Sequence, residues 1–129
     1  MTTYLLDTSV IIDAINGKKG RRELLRSLVL SGGTLACCPI NIAEIYAGMR
    51  PNEELATSRF LRSLELYPLT FAVSEVAGAL KRDYAKAGRT LYLGDVLIAA
   101  TALQNKLSLL TDNVKDFPMP DLSLFPLPK

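Results

Sequence analysis

The chain of 129 residues contains no histidine, and its only two cysteines, Cys37 and Cys38, are adjacent. Without imidazole, Ser-His-Asp and Cys-His catalysis are excluded, as is a zinc site built on histidine. Neighbouring cysteines do not close an ordinary disulfide-linked loop, so we expect two reduced, buried thiols. A general base must therefore be a carboxylate, a lysine, a tyrosine or a water molecule bound to a metal ion.

Long apolar runs and one-sided charge are also absent. No stretch reaches the roughly 18 apolar residues that a membrane helix needs, and no apolar segment follows a charged start as in a signal peptide. We therefore expect a cytoplasmic protein with no membrane attachment. Fifteen basic and thirteen acidic residues give a net charge of +2, which by itself does not indicate nucleic acid.

The residues that are present suit one globular domain over 1–129. Hydrophobic residues make up 49% of the chain, which is enough for one core. Strands are predicted at 4–6, 34–38, 66–70 and 107–110, with an edge strand at 122–124. Helices are predicted to begin near Asp7 and to cover 21–30, 41–47, 51–65, 74–87 and 95–105. This alternation predicts an α/β fold with a mostly parallel sheet that is covered on both faces.

Four acidic residues lie near the ends of these elements. Asp7 and Asp112 follow the first and last long strands, Glu44 lies one helical turn after the second strand, and Asp95 starts an apolar helix. Sites in open α/β sheets form beyond the carboxyl ends of the strands, so we expect the acids to converge in one crevice. Clustered carboxylates repel each other, and a hard divalent cation offsets that repulsion. Without histidine, Mg²⁺ or Mn²⁺ is the expected ion.

Such an ion suits the hydrolysis of a phosphodiester, because it lowers the pKa of bound water and neutralises charge on the phosphoryl oxygens. A nearby carboxylate would position that water or accept its proton. Taken singly, each acid also has a structural interpretation. Asp7, Asp95 and Asp112 would cap helix N-termini, and Glu44 would form a capping box with Asn41.

Four segments in order carry a family resemblance, at 5–12 (LLDTSVII), 42–48 (IAEIYAG), 94–102 (GDVLIAATA) and 109–117 (LLTDNVKDF). Together they resemble the PIN-domain family in its VapC-type toxin branch. The resemblance implies a three-layer α/β/α sandwich with a mostly parallel sheet of four to five strands. It also implies a Mg²⁺- or Mn²⁺-dependent endoribonuclease that acts on RNA, is inhibited by a cognate antitoxin protein and forms a homodimer.

The resemblance further implies roles for individual residues. Asp7 and Asp95 would be direct metal ligands, and Glu44 a third acid that binds the ion directly or through water. Ser9 and Thr111 would supply hydroxyls near the metal or the phosphate.

The fourth acid is either Asp112 or a position filled here by Asn113, and we favour Asp112. Asp116 is expected to cap or to pair structurally.

Two basic groups are candidate RNA contacts as sets, although solvated helix faces explain any single member equally well. They are Lys18, Lys19, Arg21, Arg22 and Arg26, and Lys81, Arg82, Lys86 and Arg89.

Three other functions are weighed against a nuclease. A haloacid dehalogenase-type phosphatase needs a second aspartate two residues after the first, where this chain has Ser9. A receiver domain needs its acids and a late lysine in a different order. A catalytically silent PIN-fold module that binds RNA or protein stays open as the alternative.

Overall fold

The computed structural model describes residues 1–128 and contains a five-stranded sheet. The strands are β1 (Thr3–Leu6), β2 (Thr34–Cys37), β3 (Glu65–Leu66), β4 (Ser108–Leu110) and β5 (Ser123–Leu124). The helices are α1 (Thr8–Ile15), α2 (Arg21–Leu30), α3 (Pro39–Gly48), α4 (Glu54–Arg62), α5 (Phe71–Lys86) and α6 (Leu93–Asn105). The 3₁₀ turn Pro51–Glu53 precedes α4, and a second 3₁₀ turn, Val114–Asp116, follows β4. The predicted α/β class is confirmed.

The sheet has the strand order β3-β2-β1-β4-β5, and all neighbouring strands are parallel. The chain begins in the centre, extends through β2 and β3 to one edge, and then returns to β4 and β5 on the other side. The point where the strand order reverses therefore lies between β1 and β4, where ligands bind in open α/β sheets. The Asp7 amide donates to the Leu110 carbonyl at 2.9 Å, which joins the two strand ends.

Both faces of the sheet are covered. Successive side chains on a strand point to opposite faces, and Leu5 and Leu6 of β1 are both fully buried in different clusters. Leu5 lies in a cluster with residues of α5 and α6, while Leu6 lies in a cluster with residues of α1 and α3. The fold therefore has the expected three layers. In the described part of the chain, no helix combines the length and apolar character needed to cross a membrane.

Helix α3 begins two residues before the predicted start at 41. Its N-cap is Cys38, Pro39 occupies the first turn, and the Asn41 side chain accepts a hydrogen bond from the Cys38 amide at 2.9 Å. Proline suits this place because the first helical residues have no intrahelical partner for their amides. Asn41 therefore closes the capping box from within the helix, and a box between Asn41 and Glu44 is not formed.

Strand β3 is shorter than the predicted segment 66–70. It pairs with β2 only through Glu65 and Leu66, and the Tyr67 amide makes one further bond to the Cys37 carbonyl at 2.9 Å. Pro68 has no amide hydrogen, so the ladder ends there. The predicted edge strand near 122–124 is confirmed as β5, which pairs with β4.

The two cysteines are free and buried, as expected. Burial raises the pKa of both Cys37 and Cys38 to about 11. Both thiols are therefore protonated near neutral pH and packed as small apolar groups.

Candidate active site

Asp7 occupies the junction of β1 and α1, at the switch point of the sheet. Its carboxylate is nearly buried, with 5% of the residue exposed. One oxygen caps α1 by accepting the Thr8 amide at 2.8 Å, and the other accepts the Thr111 hydroxyl at 2.7 Å. The Ser9 hydroxyl makes a longer contact of 3.5 Å. The helix-cap interpretation of Asp7 is therefore correct, and the same carboxylate also faces the end of β4.

Glu44 is drawn to the same place from α3. The Thr8 hydroxyl donates to Glu44 Oε1 at 2.7 Å and accepts from the Asn41 side-chain amide at 3.1 Å. Thr8 therefore bridges the carboxylates of Asp7 and Glu44, one through its amide and one through its hydroxyl. These bonds hold the Glu44 carboxylate beside Asp7, at the end of β1.

Asp95 completes the group from the first turn of α6. Burial, together with the negative charges of Asp7, Asp116 and Glu44, raises the pKa of Asp95 from its usual 3.8 to about 6. Burial also raises the pKa of Asp7, with a further contribution from Glu44, while the bonds from Thr111, Thr8 and Ser9 lower it. The shifts of Asp7 and Asp95 arise because these carboxylates are partly shielded from water and lie near other negative charges.

Gly94 allows α6 to approach α3. A Cβ atom added at Gly94 would lie 3.1 Å from Glu44 Oε2 and 2.5 Å from Cε2 of the Tyr92 ring. Any larger residue would therefore displace the ring or the carboxylate. The glycine before Asp95 in the sequence thus has a packing role beside the site.

Asp112 is held by a different interaction. Its Oδ1 accepts from Arg21 Nη2 at 2.6 Å, and the two side chains are 22% and 1% exposed. Arg21 Nη1 also donates to the Lys19 carbonyl at 3.2 Å. Within residues 1–128, Arg21 Nε and Asp112 Oδ2 are buried without a hydrogen-bond partner. Asp112 is therefore in an ion pair with α2 and caps no helix.

The alternative fourth position, Asn113, is exposed, and its backbone amide donates to the Thr111 hydroxyl at 2.9 Å. The acid of this loop that raises the Asp95 pKa is Asp116, at the end of the 3₁₀ turn. The sequence predicts only a structural role for Asp116. It carries no local signal for the approach to Asp95, because Asp112 lies closer to the end of β4.

The carboxylates of Asp7, Glu44 and Asp95 fit a hard divalent cation by their chemistry. Within residues 1–128, no three acidic or cysteine side chains already form a converged set of metal ligands. Mg²⁺ does not require one, because it keeps several waters and binds proteins through one or two carboxylates. The raised pKa of Asp95 reflects negative charge that a cation would compensate. The donors present therefore fit Mg²⁺ or Mn²⁺.

The first basic group is mostly engaged with the protein itself. The prediction that Arg21 contacts RNA is wrong, because its side chain is 1% exposed. Arg22 donates to the carbonyls of Ala14 and Ile15 at the end of α1. Lys18 and Arg26 are exposed.

Two members of the second group lie near α6. Lys81 Nζ donates to the Leu91 carbonyl at 2.5 Å, and Arg89 donates to the Lys115 carbonyl. These bonds place two cations beside the segment that leads into Asp95.

A cavity of about 420 Å³ opens beside Glu44, between the end of α1 and the chain from α3 into α4. Its walls include the apolar side chains of Ile12 and Ile15 and the cations Lys18 and Arg50. This volume lies in the range of ordinary ligand sites. The cavity therefore offers apolar and basic contacts next to Glu44.

Comparisons with known proteins agree with this geometry. A family model described as PIN domain matches residues 4–118. Ribonuclease VapC19 of Mycobacterium tuberculosis is 34% identical over 119 residues, 92% of this chain and 95% of the relative. Ribonuclease VapC10 of the same organism is 37% identical over 115 residues, which are 89% of this chain and 86% of that relative. The structure of VapBC2 from Rickettsia felis, bound to a DNA fragment from their promoter, is similar with a TM-score of 0.85 and 26% identity, covering 96% of this chain and 98% of that one.

Proposed function

The chain belongs to the PIN-domain family, in its VapC-type branch, and from that premise we propose that it is a Mg²⁺-dependent endoribonuclease, the toxin of a VapBC-type toxin–antitoxin module. The observation that carries the proposal is the juxtaposition of Asp7, Glu44 and Asp95 at the switch point of the sheet. The Asp95 pKa is raised to about 6 partly by the negative charges of Asp7 and Glu44, which shows that the three acids are close. This closeness supports a site that binds a cation.

Asp7 and Asp95 are the proposed direct ligands, with Glu44 bound directly or through water. When bound, Mg²⁺ or Mn²⁺ supplies Lewis-acid chemistry, in which it lowers the pKa of water and neutralises charge on the phosphoryl oxygens. Thr111 and Thr8 orient the carboxylates through the bonds to Asp7 and Glu44.

Glu44 is the acid best placed to handle a proton. Its Oε1 is held by the Thr8 hydroxyl, and its Oε2 faces Gly94 in the first turn of α6. Oε2 would position the attacking water or accept its proton. Asp112 remains a candidate catalytic acid, although its bond to Arg21 favours a supporting role.

The test is cleavage of labelled single-stranded RNA by the purified protein, with Mg²⁺ and with the ion removed by chelation. Asp7→Asn and Asp95→Asn should each abolish cleavage, while Asp121→Asn, which changes an exposed acid near the C-terminal end, should not. Circular dichroism and thermal unfolding should show that all three variants fold. Cleavage at wild-type rates by both site variants would refute the assignment.

A catalytically silent PIN-fold module is the second candidate. It would bind RNA or a protein without Mg²⁺-dependent cleavage, so the same assay distinguishes the two. The nuclease is favoured because the acids lie together at the switch point. A module that only binds has no need for negative side chains close enough to raise the pKa of Asp95 and Asp7.

The proposed protein partner is a cognate antitoxin that covers the acidic groove. The cavity beside Glu44 supports this, because Ile12 and Ile15 can receive apolar side chains while the acids receive a cation. Expression of the chain alone should arrest growth, and co-expression of the antitoxin should restore it. Ile12→Arg should weaken that rescue, and an unaltered rescue would contradict a role for this cavity.

We also propose a homodimer and a cytoplasmic location. Large exposed apolar side chains, including Leu30 at 78% and Leu55 at 65%, are available for self-association. Sedimentation velocity on the purified chain tests the dimer. The buried free thiols support a reducing compartment such as the cytoplasm, and fractionation of the source cells tests the location.

A further inference from the structure

Tyr92 presents an aromatic ring at the rim of the acid cluster. The residue directly precedes α6, and it is 61% exposed. Its ring edge and the Glu44 carboxylate both lie within about 3 Å of the point where a Gly94 Cβ would stand, so the ring and the carboxylate are side by side. The Tyr92 carbonyl also accepts the Asp95 amide at 3.1 Å. Burial in the core does not account for this position, because most of the residue is exposed.

Two cations lie near this segment, Lys81 on α5 and Arg89 in the loop between α5 and α6. Lys81 Nζ donates to the carbonyl of Leu91, the residue before Tyr92, and the Arg89 guanidinium lies three residues upstream against the Lys115 carbonyl. An exposed aromatic ring, with cations bound to the backbone of neighbouring residues, matches the two features of a single-stranded nucleic acid, which are a base face and a phosphate. This charge complementarity favours RNA over an apolar peptide or a second copy of the chain.

We propose that Tyr92 is a stacking platform for one unpaired base of the RNA, next to the bond that is cleaved, and that Lys81 and Arg89 hold the flanking phosphates. The inference rests on the proposed ribonuclease function. It adds a contact that would position the single-stranded RNA over the acidic residues. Because every base has an aromatic face, such a contact contributes affinity and register with little base preference.

The main test uses a short single-stranded oligoribonucleotide that the wild-type chain cleaves at one bond in Mg²⁺. Tyr92→Leu removes the aromatic face and keeps an apolar side chain, whereas Tyr92→Phe keeps the ring. We expect Tyr92→Leu to raise KM roughly tenfold, the effect of one lost base–aromatic stack, with kcat changed less than threefold. Tyr92→Phe should stay within twofold of wild type in both constants.

Phe71→Leu is the matched control. Phe71 is 83% exposed at the start of α5. Because α5 and α6 are joined by a short loop and pack together, the start of α5 lies at the end of that helix pair far from Tyr92, about 20 Å away along the helix. Phe71→Leu should leave KM and kcat unchanged.

A second arm places an abasic nucleotide at each position beside the cleaved bond. At one position the abasic substrate should raise the wild-type KM by the same roughly tenfold factor. For Tyr92→Leu, the abasic nucleotide at that position should have no further effect, because the stack is already lost. Independent, multiplicative effects of the two changes would overturn the proposal.

The possible outcomes distinguish a failure of the stacking site from a failure of the proposed ribonuclease function. If the wild-type chain cleaves no RNA in Mg²⁺, the proposed function fails and the stacking site with it. If the wild-type chain cleaves and Tyr92→Leu has an unchanged KM, the stacking site alone is refuted. A Tyr92→Leu variant with altered sedimentation would instead assign the ring to a contact between copies of the chain, which also overturns the proposal.

Discussion

Removal of the Asp112 carboxylate leaves a cation buried inside the protein. Arg21 is 1% exposed, lies 2.6 Å from Asp112, and carries a guanidinium that stays charged in proteins. Breaking a buried pair by removing one partner costs about 3–5 kcal/mol. Since the Asp112 side chain is 22% exposed, we expect Asp112→Ala to lose about 3 kcal/mol of unfolding free energy, the lower end of that range.

The opposite change should cost less. Arg21→Met fills most of the same space, and the carboxylate it leaves behind can reach water or take up a proton. We therefore expect Arg21→Met to lose about half as much stability as Asp112→Ala. The asymmetry follows from burial, because the more buried partner of the pair is also the one that cannot become neutral.

Urea unfolding of the purified variants measures both losses. Arg82→Met is the control, because it breaks the contact between Arg82 and Asp83 at 3.3 Å, whose side chains are 63% and 65% exposed; we expect a loss below about 0.5 kcal/mol. Equal losses for Asp112→Ala and Arg21→Met, or losses as small as the control, would refute the reasoning.

The same residue allows a test of its part in cleavage. Asp112→Asn keeps an oxygen that can accept from Arg21 while it removes the charge that a metal ligand needs. If Asp112 acts through its pair with Arg21, cleavage should fall less than about tenfold, or about 1.4 kcal/mol in the barrier. A loss as complete as that of Asp95→Asn would instead place Asp112 among the catalytic acids.

Three further predictions concern the acid cluster. Because the folded pKa of Asp95 is raised from 3.8 to about 6, Asp95 contributes stability that is complete below pH 3.8 and is lost as the pH rises through 6. Urea unfolding without Mg²⁺ should show this loss in the wild type and a smaller loss in Asp95→Asn, where the raised pKa of Asp7 remains; an equal loss would contradict the assignment to Asp95. Gly94→Ala should lower cleavage at least tenfold, measured on the same RNA substrate, because the added methyl would meet the Tyr92 ring at 2.5 Å and Glu44 Oε2 at 3.1 Å, so that both must shift beside the site. Thr111→Val should weaken Mn²⁺ binding, measured by titration calorimetry, because the Asp7 oxygen loses its 2.7 Å donor; unchanged affinity would contradict that role.

The parallel sheet and the position of the site could be predicted from the sequence because both follow from local patterns. Apolar segments alternate with helical ones, and parallel strands bring their carboxyl ends to one edge. Asp7 and Glu44 follow β1 and β2 closely enough that this rule places them together. Asp95 follows a glycine at the start of an apolar helix, which is again a local signal.

The last loop could not be predicted in the same way. Asp112 lies closer to the strand end than Asp116, so the strand-end rule favoured it. The 3₁₀ turn Val114–Asp116 ends at the later acid, whose negative charge is near enough to Asp95 to raise the Asp95 pKa. The partner of Asp112 is Arg21, 91 residues away, and a basic run in a sequence gives no indication that one of its members is buried.

The distribution of the buried charge explains why the cluster is suited to an external cation. Two acids at the switch point, Glu44 and Asp7, are held by neutral donors, the hydroxyls of Thr8 and Thr111. Such donors orient a carboxylate without cancelling its charge, so the pKa of Asp95 stays raised. The buried cation Arg21 pairs with Asp112. If the acids served only stability, an arginine beside Asp7 and Asp95 would relieve their repulsion. Because the fold orients these carboxylates and leaves their charge uncompensated, a divalent ion is the partner that fits them.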